Sequence, residues 1–143
     1  MQYVYMPLTS HTRYQGKLSG PLIDRIDLII DVPAVTQSEL TAPAAGEPTD
    51  IVRKRVAEAR TRQTDRQGTE NARLGPKALD DVAVLDDAGH RLMSNAMQKL
   101  DLSARAYHRI LRVARTIADL AGSASIAVPH LAEAIQYRRS LAR

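Results

Sequence analysis

Arg105, Arg109 and Arg112 share one ridge if the stretch Ser103 to Ala121 is helical. At about 100° per residue, Tyr107, Ile110, Leu111, Ala114, Ile117, Ala118 and Ala121 fall within an arc of roughly 120°. The three guanidiniums then point the opposite way. Like charges on one ridge repel, so such a helix either meets anions, or solvates each arginine, or pairs it with an acid such as Asp86, Asp87 or Glu133. Pairing or solvation suits Arg109 and Arg112. Arg105 differs by its place, in the first turn just after Ser103. There the helix dipole and free amides already favour negative charge, and a guanidinium can bind a phosphate bidentately.

Other reactive residue types do not assemble into a site. His11, His90, His108 and His130 lie too far apart for metal-ligand spacing, and His108 reads as a packing or surface residue. The carboxylates are scattered, and no nucleophile stands with a base. Cysteine is absent, which excludes a disulfide scaffold and thiolate chemistry. No G-x-x-x-x-G-K-[ST] loop is present to cradle phosphates, and no apolar strand ends in paired acids that would hold magnesium. From charge pattern alone, Arg25 pairs with Asp24 or Asp27. An independent enzyme is therefore not expected.

These residues need elements to hold them. The chain has 143 residues, 44% of them apolar and only 3% aromatic, with no Trp or Phe. A core of Ala, Leu, Ile and Val suits closely packed helices. Net charge is +4 and the pI near 9.7, a balance compatible with nucleic acid or phosphate partners and equally with solvated arginine faces. No apolar run approaches the roughly 20 residues that span a bilayer, and no signal-peptide pattern opens the chain. A cytoplasmic protein is expected.

Met1 to Leu18 reads as irregular. Ile26 to Val32 is a β-branched run ended by Pro33, a strand signal whose sheet partners are not evident. The stretch 34–48 has linker composition and is expected to be mobile. A helix is predicted from Thr49, the expected cap, to Arg66, with Gly68 as its stop and a loop from Gln67 to Gly75. Helical segments follow from Pro76 to Val82, from the Asp86 cap to Leu100 with Leu92, Met93, Ala96, Met97 and Leu100 inward, from the Ser103 cap to Ala121 with Gly122 as its stop, and from about Pro129 with Leu131, Ala132, Ala134, Ile135 and Leu141 inward. Short connections between them imply an antiparallel bundle.

The stretch Leu102-Ser103-Ala104-Arg105-Ala106-Tyr107-His108-Arg109-Ile110-Leu111-Arg112, continued to Gly122, resembles the lid helix of Mg-chelatase-like AAA+ ATPases of the ComM type. Leu18-Ser19-Gly20-Pro21-Leu22-Ile23-Asp24-Arg25-Ile26-Asp27-Leu28 is similar to the family's segment before its last core strand. His130-Leu131-Ala132-Glu133-Ala134-Ile135-Gln136-Tyr137-Arg138 resembles its final helix. The resemblance covers nearly everything after about Tyr14, in matching order and spacing. Met1 to Met6 is not similar to it, and the family's Cys-rich stretch before this region is absent.

The resemblance implies a mainly α fold: residues 1–33 as a strand-containing remnant of the AAA+ core, 34–48 as a flexible linker, and 49–143 as the helical lid. It implies that Arg25, in the Pro-Leu-x-Asp-Arg pattern, is the arginine finger that reaches a neighbouring subunit's ATP. Arg105, in the Ser-x-Arg pattern, corresponds to the sensor-2 arginine at the γ-phosphate, serving its own or the neighbour's site. It further implies a ring, expected to be a hexamer, that uses ATP and Mg²⁺ and acts on DNA in natural transformation and recombination, whereas other relatives insert magnesium into porphyrin. Without the phosphate loop the chain is expected to be a piece of a longer protein, inactive by itself. The rival reading is a basic nucleic-acid-binding module using Arg53, Lys54 and Arg60, with Arg55, Arg62 and Arg66 on the same helix. The scarcity of aromatics to stack bases weighs against it.

Overall fold

Proline, aspartate, serine and glycine set the boundaries of the bundle. The computed structural model describes residues 25–30, 32–41 and 46–139. The helices are α1 Gln37–Thr41, α2 Thr49–Gln67, α3 Pro76–Val82, α4 Asp87–Lys99, α5 Ala104–Leu120 and α6 Val128–Arg139, with a 3₁₀ turn at Asn71–Arg73 between α2 and α3. The molecule is mainly helical, as expected of a lid bundle, and no strand occurs among the described residues.

Local chemistry explains most of the ends. Asp86 Oδ1 accepts from the Gly89 amide at 2.7 Å and opens α4. Ser103 Oγ accepts from the Ala106 amide at 3.2 Å and opens α5. Such caps typically contribute about 1 kcal/mol each. Pro76 occupies the first turn of α3, where its missing N–H loses nothing. Gly68 closes α2 with φ 74°, and Gly122 follows α5 with φ 71°, both left-handed values that side chains disfavour. Thr49 is not the cap of α2. The cap position falls on Pro48, whose carbonyl accepts from the amides of Ile51 and Val52, so Thr49 is already helical.

The core lies between α5 and its neighbours. Ile110, Leu111, Ala114 and Ala118 of α5 are buried against Leu131, Ala134 and Ile135 of α6, Met93 and Ala96 of α4, and Leu79 of α3. Leu92, Met97, Leu100, Tyr107 and Ile117 pack around this centre. Ala121 is exposed, so the apolar arc of α5 ends one turn earlier than its sequence suggests. Ala132 is half-buried, and Leu141 lies outside the described residues. Burying a Leu or Ile contributes about 1.5–3 kcal/mol, so α5 is the helix on which the bundle depends.

The N-terminal part differs. The run expected to be a strand makes no ladder among the described residues, and its Asp31 lies outside them. Leu28, Ile30 and Val32 remain 47%, 66% and 84% exposed. A strand needs a neighbouring strand to take its amides and carbonyls, and no strand lies beside this run among the described residues. Part of the expected linker is a helical turn, α1, whose Leu40 amide donates to the Thr36 carbonyl. The long helix α2 buries only Ala59 and Gln63, with Ile51 and Val56 near its start about half exposed.

Candidate functional site

Helix α5 has two chemically distinct ends. At its start, Arg105 is exposed and makes no hydrogen bond or ion pair among the described residues. It follows the Ser103 cap by two residues, at the end of the helix where backbone amides carry partial positive charge. Arg25 is also exposed, in a turn, and has no partner among the described residues. Of the acids proposed to hold it, Asp27 is engaged elsewhere and Asp24 lies outside the described residues. Among the described residues, then, no acid occupies either guanidinium.

The remaining ridge arginines are engaged. Arg109 forms an ion pair with Asp27. Arg112 donates from Nη2 to the Leu74 carbonyl at 2.8 Å. Neither meets Asp86, Asp87 or Glu133, because Asp27 and Leu74 arrive from distant parts of the chain. His108 places Nδ1 3.0 Å from the Ala104 carbonyl, a local contact within its own helix.

At the far end of α5 lies a polar cluster that the sequence reading did not single out. Arg115 and Asp119 are 2% and 1% exposed. Asp119 accepts from Arg66 at 2.6 and 3.0 Å, from Asn71 Nδ2 at 2.8 Å and from Arg115 Nε at 3.2 Å. Arg115 also donates to the carbonyls of Ser123 at 2.7 Å and Ala124 at 3.0 Å. Asn71 receives a bond from Gln67 at 2.9 Å and gives its amide to Gln63 Oε1 at 3.0 Å. Arg62 reaches the Asp119 carbonyl at 3.0 Å. This cluster stitches α2, the 3₁₀ turn, α5 and the loop before α6.

Burial pushes the Asp119 carboxyl up. Hydrogen bonds from Arg66 and Asn71, with the charges of Arg115 and Arg66, more than offset it and hold the group below the usual carboxylate range. Burial draws the Arg115 guanidinium down from its ordinary value, opposed by Asp119. The one available signal was the opposite charges four residues apart on α5, at about 100° and 140° from the centre of its apolar arc.

The basic helix α2 presents Arg53, Lys54 and Arg60 to solvent. Arg53 pairs with Asp50 at 2.8 Å, Arg55 with Glu47 at 2.8 Å, and Arg60 with Glu70. A backbone hydrogen bond and the nearby Arg73 and Arg60 charges hold the Glu70 carboxyl below its usual range despite some desolvation. Lys54 has no such partner among the described residues. No group of three or more His, Cys, Asp or Glu residues capable of holding a metal occurs among the described residues, and none of their helices is long and apolar enough to cross a membrane.

Known proteins resemble this arrangement closely in sequence. Residues 46–138 match the family described as magnesium chelatase, subunit ChlI C-terminal, and residues 2–40 match magnesium chelatase, subunit ChlI. The second match begins well before Tyr14 and takes in Met6, so the start of the chain is family-like, contrary to the reading of Met1 to Met6. Competence protein ComM of Haemophilus influenzae is 46% identical over 127 residues, 88% of this chain and 25% of that protein. Uncharacterized protein YifB is 41% identical in Salmonella typhimurium and 39% in Escherichia coli, over the same shares of each chain. The chain thus spans about a quarter of the length of these relatives. With its α3–α6 bundle, all but Arg139, inside the longer match, the chain belongs to the magnesium chelatase ChlI C-terminal family.

Proposed function

We propose that this chain supplies the lid and two nucleotide-facing arginines of a ComM-like AAA+ ATPase. The supporting observation is the contrast in arginine partners: Arg109, Arg112 and Arg115 are each engaged within the chain, whereas Arg25 and Arg105 are exposed and unpaired among the described residues. Arg25 acts as the finger that stabilises charge developing on the γ-phosphate of a neighbouring subunit's ATP. Arg105 contacts the γ-phosphate as sensor-2, aided by the positive end of α5. Two exposed guanidiniums fit a polyphosphate, but no cluster of acids among the described residues fits its Mg²⁺. The phosphate loop and metal site belong to a core outside this sequence, and the chain alone does not turn over ATP.

The domain division belongs to the same reading: core-derived residues 1–33, a connection at 34–48, and a lid from 49. Its support is that one family match ends at residue 40 and the other starts at 46. The partners are that core, neighbouring subunits of a hexameric ring, and DNA. DNA as substrate draws on the motif resemblance and on the relative from Haemophilus being called a competence protein. A nucleic-acid module built on Arg53, Lys54 and Arg60 is less well supported, because the two arginines are already paired with acids.

The test is ATP turnover by the full-length ATPase. Arg25→Ala is expected to lower it by about 10³-fold or more with nucleotide binding retained. Mixing that variant with a subunit lacking a working phosphate loop should restore part of the activity. Arg105→Ala should also lower turnover, together with the response of the lid to nucleotide. Wild-type turnover in both single variants would remove the proposal.

A further inference from the structure

The segment that carries Arg25 is fastened to the bundle at two points. Asp27, two residues beyond Arg25, is ion-paired with Arg109 of α5. The Ile29 amide donates to the Tyr137 carbonyl at 3.1 Å. Tyr137 lies on α6, so this bond joins the segment to a second helix of the bundle. Beside these points, Leu28 and Ile30 border an open groove of about 280 Å³ also lined by Val113, Ile117 and Tyr137.

This ion pair joins the neighbourhoods of Arg25 and Arg105. Arg109 lies four residues after Arg105, on the same face and about 6 Å along the helix axis. Two residues of chain separate Arg25 from Asp27, a reach of at most about 7 Å. Arg109 and Asp27 thus link α5 directly to the stretch of chain beside Arg25. The Asp27 and Arg109 side chains are 53% and 23% exposed. A pair this wet adds little to stability, so its consequence is geometric.

The geometry points to a strut: Asp27 and Arg109, backed by the Ile29–Tyr137 hydrogen bond, are positioning residues that couple the Arg25 segment to the Arg105 end of α5. This inference rests on the reading of Arg25 and Arg105 as nucleotide-facing groups. The strut makes the reach of the finger depend on where the lid stands, so the two arginines respond to nucleotide together rather than separately.

Two experiments test it. In this chain, Arg109→Ala is expected to speed hydrogen exchange at the Ile29 amide by roughly two- to fivefold, the range of an exposed ion pair, and to leave the core amides of Ala114 and Ala118 unchanged. The exchanged pair Asp27→Arg with Arg109→Asp should return the Ile29 rate to its original value. An Ile29 rate indifferent to Arg109→Ala, or not restored by the exchanged pair, would overturn the strut. In the full-length ATPase, Arg109→Ala should lower kcat by roughly the same two- to fivefold with KM unchanged, and the exchanged pair should restore it. If Arg25→Ala abolishes turnover while Arg109→Ala leaves kcat intact, the coupling is wrong and the finger reading survives. If Arg25→Ala leaves turnover intact, the finger reading itself fails, whatever the Ile29 amide does.

Discussion

The two ends of α5 use the same side chain in opposite ways. Arg115, near its end, is buried and gives its donors to Asp119, Ser123 and Ala124. Arg105, at its start, is exposed and gives them to nothing among the described residues. A buried guanidinium must be paired because an unpaired charge away from water costs several kcal/mol. An exposed one is free to wait for an anion. Burial and partner geometry therefore separate arginines that build the bundle from those that face outward, although both sit on one helix.

That contrast is sharpest at Asp119. Asp119→Ala leaves Arg115 and Asn71 buried without their shared acceptor, and we expect a loss of about 3–5 kcal/mol in urea unfolding. Leu79→Ala, a cavity in an apolar part of the core with no ionic role, should cost about 2–5 kcal/mol and calibrates the first result. Ser103→Ala removes the cap at the other end and should cost about 0.5–2 kcal/mol. Arg105→Ala should change stability by no more than about 0.5 kcal/mol, since nothing within the described chain holds that side chain. A large loss on Arg105→Ala, or a negligible one on Asp119→Ala, would break the distinction between the two ends.

Acid should act through the same buried end. The folded-state pKa of Asp119 is depressed, so its contribution is fully present above its unfolded value near 3.8 and is lost as the pH falls through the lower folded value. Thermal unfolding of the wild type should therefore become steeply pH-dependent below about pH 4. Asp119→Asn should flatten that part of the profile, whereas Arg105→Ala should leave it in place.

The helices were legible because their signals are local. Pro76, Asp86, Ser103, Gly68 and Gly122 act on backbone groups within a turn, and each stands where its chemistry puts it. Thr49 misled because Pro48 occupies the cap position one residue earlier. What stayed hidden depends on distant chain. Asp119 meets residues 53 and 48 positions away in sequence, and Asp27 is 82 positions from Arg109. No window of helical periodicity contains such pairs. The apolar run at Ile26 reads as a strand for the same reason: its residues suit a ladder, but a ladder is made by a neighbour. The candidate site was legible only in part. The charge pattern marked Arg105 through its place beside Ser103, whereas Arg25 stood out only through its motif.

Under the proposed function, Arg25 and Arg105 serve a phosphate site built by other parts of the ATPase. Titrating the chain with a fluorescent ATP analogue and Mg²⁺ tests it most directly. No saturable binding up to millimolar nucleotide is the predicted result, because two exposed guanidiniums without a phosphate loop hold a nucleotide only weakly. Saturable binding in the micromolar range would contradict it, since the chain would then contain a nucleotide site of its own.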